Sequence, residues 1–375
     1  MRKSLKFLLA MLVLVSAYAT LATPARAQQA EVAVLLPDSA SSARWEADDR
    51  RFLEAAFQAA GVTYSIVNAN GDANTQITQA EQALTNGAKV LLLVNLDSGS
   101  GATIISKARE AGAKVIDYDR LTIEGDGADF YVSFDNVAVG RLQGEGLVKA
   151  VEAAGLKNPR VVVLNGSPTD NNATLFKSGY DGVINAKFDS KEWTKVADQS
   201  VPNWDNQEAL KIFEQILVKE GGKVDAAIAA NDGLAGAIIA ALKNQGLPNI
   251  PVTGQDATVA GIQNILAGAQ SMTVYKAIKA EAEAAAALAV ALVKGEDTAA
   301  MVTGAVNNGK KDVPSVLLVP VSVTKDNIAE TVIADGFRKW EEICTGDIAQ
   351  FCPADAMSAT PEATPEATPE ATPAK

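Results

Sequence analysis

Along most of the chain, short runs that are apolar at every position alternate with longer stretches in which apolar residues recur at helical spacing. The first runs are "EVAVLLP", "TYSIVNA", "KVLLLVN" and "AKVIDYDR", and the spacing between them predicts helices near Ala47 to Ala60, Asn74 to Asn86 and Gly101 to Ala111. A strand that is apolar on both faces needs cover on both, so this alternation predicts parallel sheet flanked by helices. After "DFYVSFDN" the pattern restarts. A helix from about Val137 to Ala153 leads to "RVVVLN", a helix near Asn172 to Ala186, "TKVADQ", a helix near Asp205 to Lys219, "VDAAIAAN", another helix and "IPVTGQD". The chain therefore reads as α/β, with two doubly wound parallel-sheet lobes. "MTVYK", an Ala-rich helix from about Ala277 to Lys294 and "SVLLVPVSV" come last. They must join sheets already begun, so the chain crosses between lobes more than once.

The ends depart from this alternation. Residues 1–27 place Arg2, Lys3 and Lys6 before an apolar run starting at Phe7, then Ala25-Arg26-Ala27. This is the layout of a secretory signal peptide with its cleavage site. The run is shorter than the ~20 residues that span a bilayer, so a soluble periplasmic or otherwise extracytoplasmic protein is expected. Residues 357–375 repeat Ala-Thr-Pro-Glu, a composition that forms no core and reads as a solvated spacer, either a passive tail or a tether. Cys344 and Cys352 are the two cysteines; export permits a disulfide, and they are expected to pair and pin the C-terminal segment.

Composition narrows the function. At 48% hydrophobic and 21% charged residues, the 375-residue chain has material for two lobes. A formal net charge of −12 repels phosphate backbones and disfavours a nucleic-acid partner. The absence of histidine removes Ser-His-Asp and Cys-His catalysis and imidazole metal sites. "NLDSGSG" and "IEGDGADF" match no phosphate-binding loop. No cofactor, metal or catalytic residue is implied.

In open parallel sheets ligands bind beyond the carboxyl ends of the strands. Here those ends read Pro37-Asp38, Asn95, Asp119-Arg120, Ser167 through Asn172, Asn231-Asp232 and Gln255-Asp256, with Lys276 closing "SMTVYK". Carboxylates, amides and guanidinium groups together suit a ligand made of hydroxyls, each of which donates and accepts. Trp45 and Trp204 offer rings to the C–H face of a sugar. Each residue also has a local alternative. Asn231 and Asp256 could cap helices, "NGSPTDNN" could be a turn-rich loop, Asp119-Arg120 could be a surface ion pair, Trp204 could pack, and Lys276 could be a solvated helix-start lysine.

Together "ARW", "YDR", "SFDN", "GSPTDNNATLF", "ANDGLAGAIIAAL", "GQDATVAGI", "MTVYK" and "NNGKKDVPS" make the segment from Val32 to Phe337 resemble the periplasmic D-xylose-binding proteins of ATP-driven sugar importers. These belong to the ribose- and galactose-binding branch of the type I periplasmic binding proteins. The resemblance implies two lobes joined by three hinge segments, near Phe134 to Asn136, Gln255 to Ala257 and Val319 to Val321. The lobes would then comprise 31–135 plus 257–318, and 136–256 plus 319–345. It implies sugar contacts from Arg44, Trp45, Asp119, Arg120, Asn172, Trp204, Asn231, Asp256 and Lys276, and retention of these residue types favours xylose over ribose, arabinose or glucose. It further implies a monomer that serves the membrane permease of an ABC importer and is compatible with a chemoreceptor partner. The first-strand loop "LLPDSASSARW" is longer and richer in Ser than the family pattern, and the cysteine pair and the tail lie outside it. A sugar-responsive transcription regulator would share the fold but lacks a DNA-binding headpiece here. A glycosidase would need a catalytic acid pair, for which Asp119 and Asp256 are the nominees.

Overall fold

The computed structural model describes residues 29–357. The expected signal peptide and the Ala-Thr-Pro-Glu tail lie outside them. Among the described residues no helix is long and apolar enough to cross a membrane.

The first lobe begins with β1 (Val32–Leu36), all five residues of which are buried. A π-helical turn (Trp45–Asp49) runs straight into α1 (Arg50–Ala60), so the helical segment starts earlier than the spacing predicts. There follow β2 (Tyr64–Asn68), α2 (Ala73–Thr85), β3 (Val90–Leu93), α3 (Ser98–Glu110), β4 (Lys114–Tyr118) and β5 (Phe130–Phe134). Asp72 and Asp97 close the starts of α2 and α3 by accepting from Thr75 N–H and Ser100 N–H, which satisfies amides that have no partner inside the helix.

The chain then enters the second lobe through α4 (Asn136–Ala153), β6 (Arg160–Asn165), α5 (Asn171–Asp189), β7 (Thr194–Ser200), α6 (Asn206–Lys219), β8 (Ala226–Ala229), α7 (Asp232–Asn244), α8 (Val259–Leu266) and β9 (Thr273–Tyr275). It returns to the first lobe with α9 (Ile278–Lys294), β10 (Gly304–Asn307) and β11 (Asp312–Leu318), and ends beyond β12 (Val321–Val323) and the short α10 (Trp340–Ile343). The first sheet has the order β10-β11-β5-β4-β3-β1-β2, parallel except for the β10–β11 hairpin. The second has β7-β6-β8 parallel. It continues through single bridges Ala227 to Val252 and Gln255 to Val274 into the antiparallel pair β9–β12. "IPVTGQD" thus supplies a thin ladder and no full strand.

These pairings correct the lobe boundary implied at Gln255 to Ala257. β9 bonds to the second sheet, and Met272 and Val274 pack in the second lobe's core with Val252 and Ile228. The second crossing therefore lies between β9 and α9, at Lys276–Ala277, and residues 257–276 go with the second lobe. "SVLLVPVSV" is likewise two strands, one in each sheet, broken at Pro320, whose missing N–H cannot continue a ladder. Helices α4 and α5 cross at glycines: a Cβ on Gly140 would lie 1.9 Å from the Phe176 carbonyl oxygen. That close approach seats the start of α5 against the first crossing.

Residues 324–357 form a cap with its own core. Ile328, Val332, Phe337, Ile343 and Cys344 pack with Ile262, Tyr275 and Ile278, and Phe52 of the first lobe joins them. The Cys344–Cys352 bridge is formed within this cap.

Candidate functional site

The Ser-rich loop after β1 is organised by Asp38, whose carboxylate accepts from the backbone of Ala40 and Ser41 and from Ser41 Oγ at 2.5–2.8 Å. Ser41 Oγ in turn accepts from Trp45 Nε1. The loop delivers Arg44, which is almost fully buried, into a knot of acids. Nη1 donates to Asp119 Oδ2 at 2.7 Å, Nε and Nη2 to both oxygens of Asp49, and Nη2 also to Glu281 Oε2 at 2.7 Å. Tyr118 hydroxyl adds a 2.6 Å bond to Asp49. The Arg44 and Arg120 guanidinium groups lie 4.4 and 5.4 Å from the Trp45 ring centre.

Asp119 sits where β4 ends, with a left-handed backbone (φ 63°), a conformation costly for a residue other than glycine and held only where surroundings fix it. Its carbonyl accepts from Tyr131 Oη, Ser133 Oγ and Asn172 Nδ2, and its carboxylate takes Asn172 Nδ2 at 3.0 Å and Lys276 Nζ at 3.2 Å. Burial pushes this carboxyl up, but Lys276, Arg44 and Arg120 outweigh it and hold Asp119 well below the usual carboxylate range. Burial likewise opposes the charge on Lys276, yet Asp119 and Asp256 raise its pKa. Behind Arg44, burial and the neighbouring Asp119 and Asp49 charges drive the Glu281 carboxyl up despite the guanidinium.

From the second lobe, Asp170 caps α5 through Asn172 N–H and also receives Trp204 Nε1 at 3.1 Å and the Arg120 guanidinium at 3.1 Å. Asn203 and Trp204 both have positive φ (54° and 56°). The Trp204 ring lies so close to Gly166 that an added Cβ would be 2.1 Å from it; only glycine admits the indole there. Asn231 does cap α7, accepting from Leu234 N–H, and at the same time reaches the Ser41 carbonyl of the first lobe. Asp256 does not cap α8, because Thr258 does. Its left-handed backbone (φ 93°) instead turns its carboxylate to Ser42 Oγ at 3.2 Å and Lys276 Nζ at 3.5 Å.

Arg44, Trp45, Asp119, Arg120, Asn172, Trp204, Asn231, Asp256 and Lys276 all line one cavity between the lobes, at the carboxyl ends of both sheets. Sequence reasoning did not nominate five further wall residues: Ser41, Ser42, Asp170, Phe176 and Gln255. Asp170 and Gln255 lay in the strand-end motifs and were passed over in favour of their neighbours. Asp49 and Glu281, which steer Arg44, left no signal, since Glu281 is one acid in an Ala-rich helix. The cavity itself is about 30 Å³, room for about two water molecules, because its charged groups meet one another. A larger groove of about 520 Å³ opens beside it between the Arg44 loop and the starts of α6, α7 and α8. It lacks Asp119, Arg120, Asp170 and Lys276, and carries Asp48, Asp232 and Arg338 beside Arg44 and Asp256 instead.

This arrangement offers fixed donors and acceptors from both lobes to a compact polar molecule, with rings at its edge. A family model described as periplasmic binding protein domain matches residues 32–297. The D-xylose-binding periplasmic protein of Escherichia coli strain K12 is 42% identical over 301 residues, covering 80% of this chain and 88% of the relative. The D-xylose-binding periplasmic protein of Haemophilus influenzae is 39% identical over 335 residues, covering 89% and 98%. Among solved structures, a carbohydrate transporter solute binding protein from Chloroflexus aurantiacus in complex with D-glucose superposes with a TM-score of 0.78 at 31% identity, covering 84% of this chain and 98% of that one.

Proposed function

Because the chain belongs to the periplasmic binding protein family, we propose that it captures D-xylose between its lobes and presents the closed form to the permease of an ATP-driven importer. At the coarser level it is a non-enzymatic, sugar-binding solute-binding protein of an ABC transporter. The observation that carries the finer reading is the convergence of Arg44, Asp119, Arg120, Asn172, Asn231, Asp256 and Lys276, with Trp45 and Trp204, on a single cavity. The relatives named for D-xylose support that sugar, and the expected leader together with the periplasmic relatives supports export to the periplasm.

Binding is a hinge motion with no covalent step. Arg44, Asp119 and Arg120 belong to the first lobe, and Asn172, Trp204, Asn231 and Asp256 to the second. A ligand that contacts both therefore favours closure in proportion to its preference for the closed state. The glucose complex of the solved relative favours a second reading in which a hexose is the guest. Calorimetry of the mature protein with D-xylose, D-ribose, L-arabinose and D-glucose decides between them: xylose binding at least tenfold tighter than the others is expected, and tight binding of another sugar with no heat from xylose overturns the assignment.

A further inference from the structure

Arg338 lies in the C-terminal cap, is buried, and lines the larger groove beside the cavity but not the cavity itself. Its Nη1 and Nη2 donate to the two oxygens of Asp48, each at 2.8 Å, while Nε donates to the Ala257 carbonyl at 3.0 Å. Asp48 is in the π-helical turn of the first lobe that begins with Trp45 and directly follows Arg44. Ala257 is in the second lobe, next to Asp256, and both carry left-handed backbones (φ 47° and 93°). Such a pair of strained residues persists only where several contacts define it; on the backbone these include Asp256 N–H to the Val274 carbonyl and Ala257 N–H to Thr273 Oγ1.

We infer that Arg338 is a positioning residue for the sugar clamp, tying the turn that bears Arg44 and Trp45 to the strained turn that aims Asp256. The inference rests on the sugar-binding reading of those residues. The guanidinium itself is fixed. It lies 3.9 Å over the Phe337 ring, Phe337 carbonyl accepts from Arg51, and the cap is held to α8 by Gln263 Nε2 on the Ile343 carbonyl at 2.8 Å. A planar fork with three donors in use matches this geometry; a lysine supplies one point charge and cannot make the set.

The test compares wild type with R338K, R338M and the double variant R338M/D48L; in R338M Asp48 keeps Arg51 at 2.9 Å, and the double variant removes both buried charges together, so that a half-broken pair is not what is read. D-xylose dissociation is followed by stopped-flow tryptophan fluorescence, and amide exchange across 254–258 is measured without sugar. We expect affinity to fall about tenfold to a hundredfold in R338M and in the double variant, mostly through faster release, with partial rescue in R338K and faster exchange at 254–258. A folded double variant with wild-type affinity, release rate and exchange overturns the inference. Wild type that binds none of the sugars overturns the sugar reading instead, and the exchange data then still decide whether Arg338 holds the Asp256 turn.

Discussion

Replacing Asp256 separates a binding role from a capping role. In the structure its carboxylate accepts from Ser42 Oγ and Gln255 Nε2 and pairs with Lys276, while Thr258 caps the following helix. Asp256→Asn keeps size and tolerance of a left-handed backbone, so no cap is lost and Lys276 retains Asp119 at 3.2 Å. What disappears is a charged acceptor for a sugar hydroxyl, and hydrogen bonds to charged groups contribute about 1.5–3 kcal/mol each. That corresponds to a dissociation constant raised roughly 10- to 150-fold. Asp256→Ala loses the same acceptor and adds about 1–2 kcal/mol of backbone strain at positive φ, so it should bind at least as weakly and also melt lower. Titration calorimetry with D-xylose at fixed pH and salt, alongside thermal unfolding without sugar, reads both quantities. If Asp256→Asn binds within twofold of wild type while its Tm drops by several degrees, the carboxylate serves the fold and the reasoning fails.

Further outcomes follow from the same geometry. Gly166→Ala forces a Cβ to within 2.1 Å of the Trp204 ring, so it should weaken sugar binding by about tenfold or more and change the fluorescence response to sugar; an unaltered titration would show that the indole is only packing. Burial pushes Asp117 from 3.8 up to about 7, against bonds from Thr122 and the charge of Lys311. Folded protein therefore holds a proton that the unfolded chain has released, and this contribution to stability is full below about pH 4 and lost as pH rises toward 7. Asp117→Asn should flatten that decline, whose size is on the order of 4 kcal/mol at most; parallel melting curves for mutant and wild type would refute it. Replacing Cys344 and Cys352 by Ser should cost about 2–3 kcal/mol in denaturant unfolding, as expected for closing so short a loop, and no loss of stability would mean that the cap does not depend on its bridge.

The parts legible in the sequence were those set by burial on both faces. β1 and β3 are apolar at every position because helices cover both sides of the sheet, and the polar residues that end such strands fall at the sheet mouths for the same reason. The β10–β11 hairpin was not legible, since Gly304–Asn307 is largely exposed at a sheet edge and carries no apolar alternation. The second crossing was misplaced because the family resemblance put it near Gln255 to Ala257, whereas pairing of Gln255 and Tyr275 to their neighbours, invisible in a linear pattern, keeps the chain in the second lobe until Lys276. Asn231 shows why two readings of one residue need not compete: its oxygen caps α7 while its amide nitrogen reaches across to Ser41.

The contacts that already cross the cavity also bear on how it discriminates. Lys276 to Asp119, Arg120 to Asp170, Ser42 to Asp256 and Asn172 to Asp119 join residues carried by different lobes or by the crossing between them. On the proposed reading of the site, a monosaccharide entering this space of about 30 Å³ parts several of these, and each charged group it separates regains a partner from a hydroxyl. A sugar with every hydroxyl in place restores those partners and keeps both lobes engaged. One with a hydroxyl inverted leaves a buried carboxylate or cation unpaired, at a cost of about 1–3 kcal/mol or more. On that reading, discrimination comes less from the shape of an open pocket than from the requirement that a neutral guest re-partner the charged groups it separates. The acids behind Arg44 serve that requirement, because a guanidinium already fixed by Asp49 and Glu281 cannot swing to follow a misplaced hydroxyl.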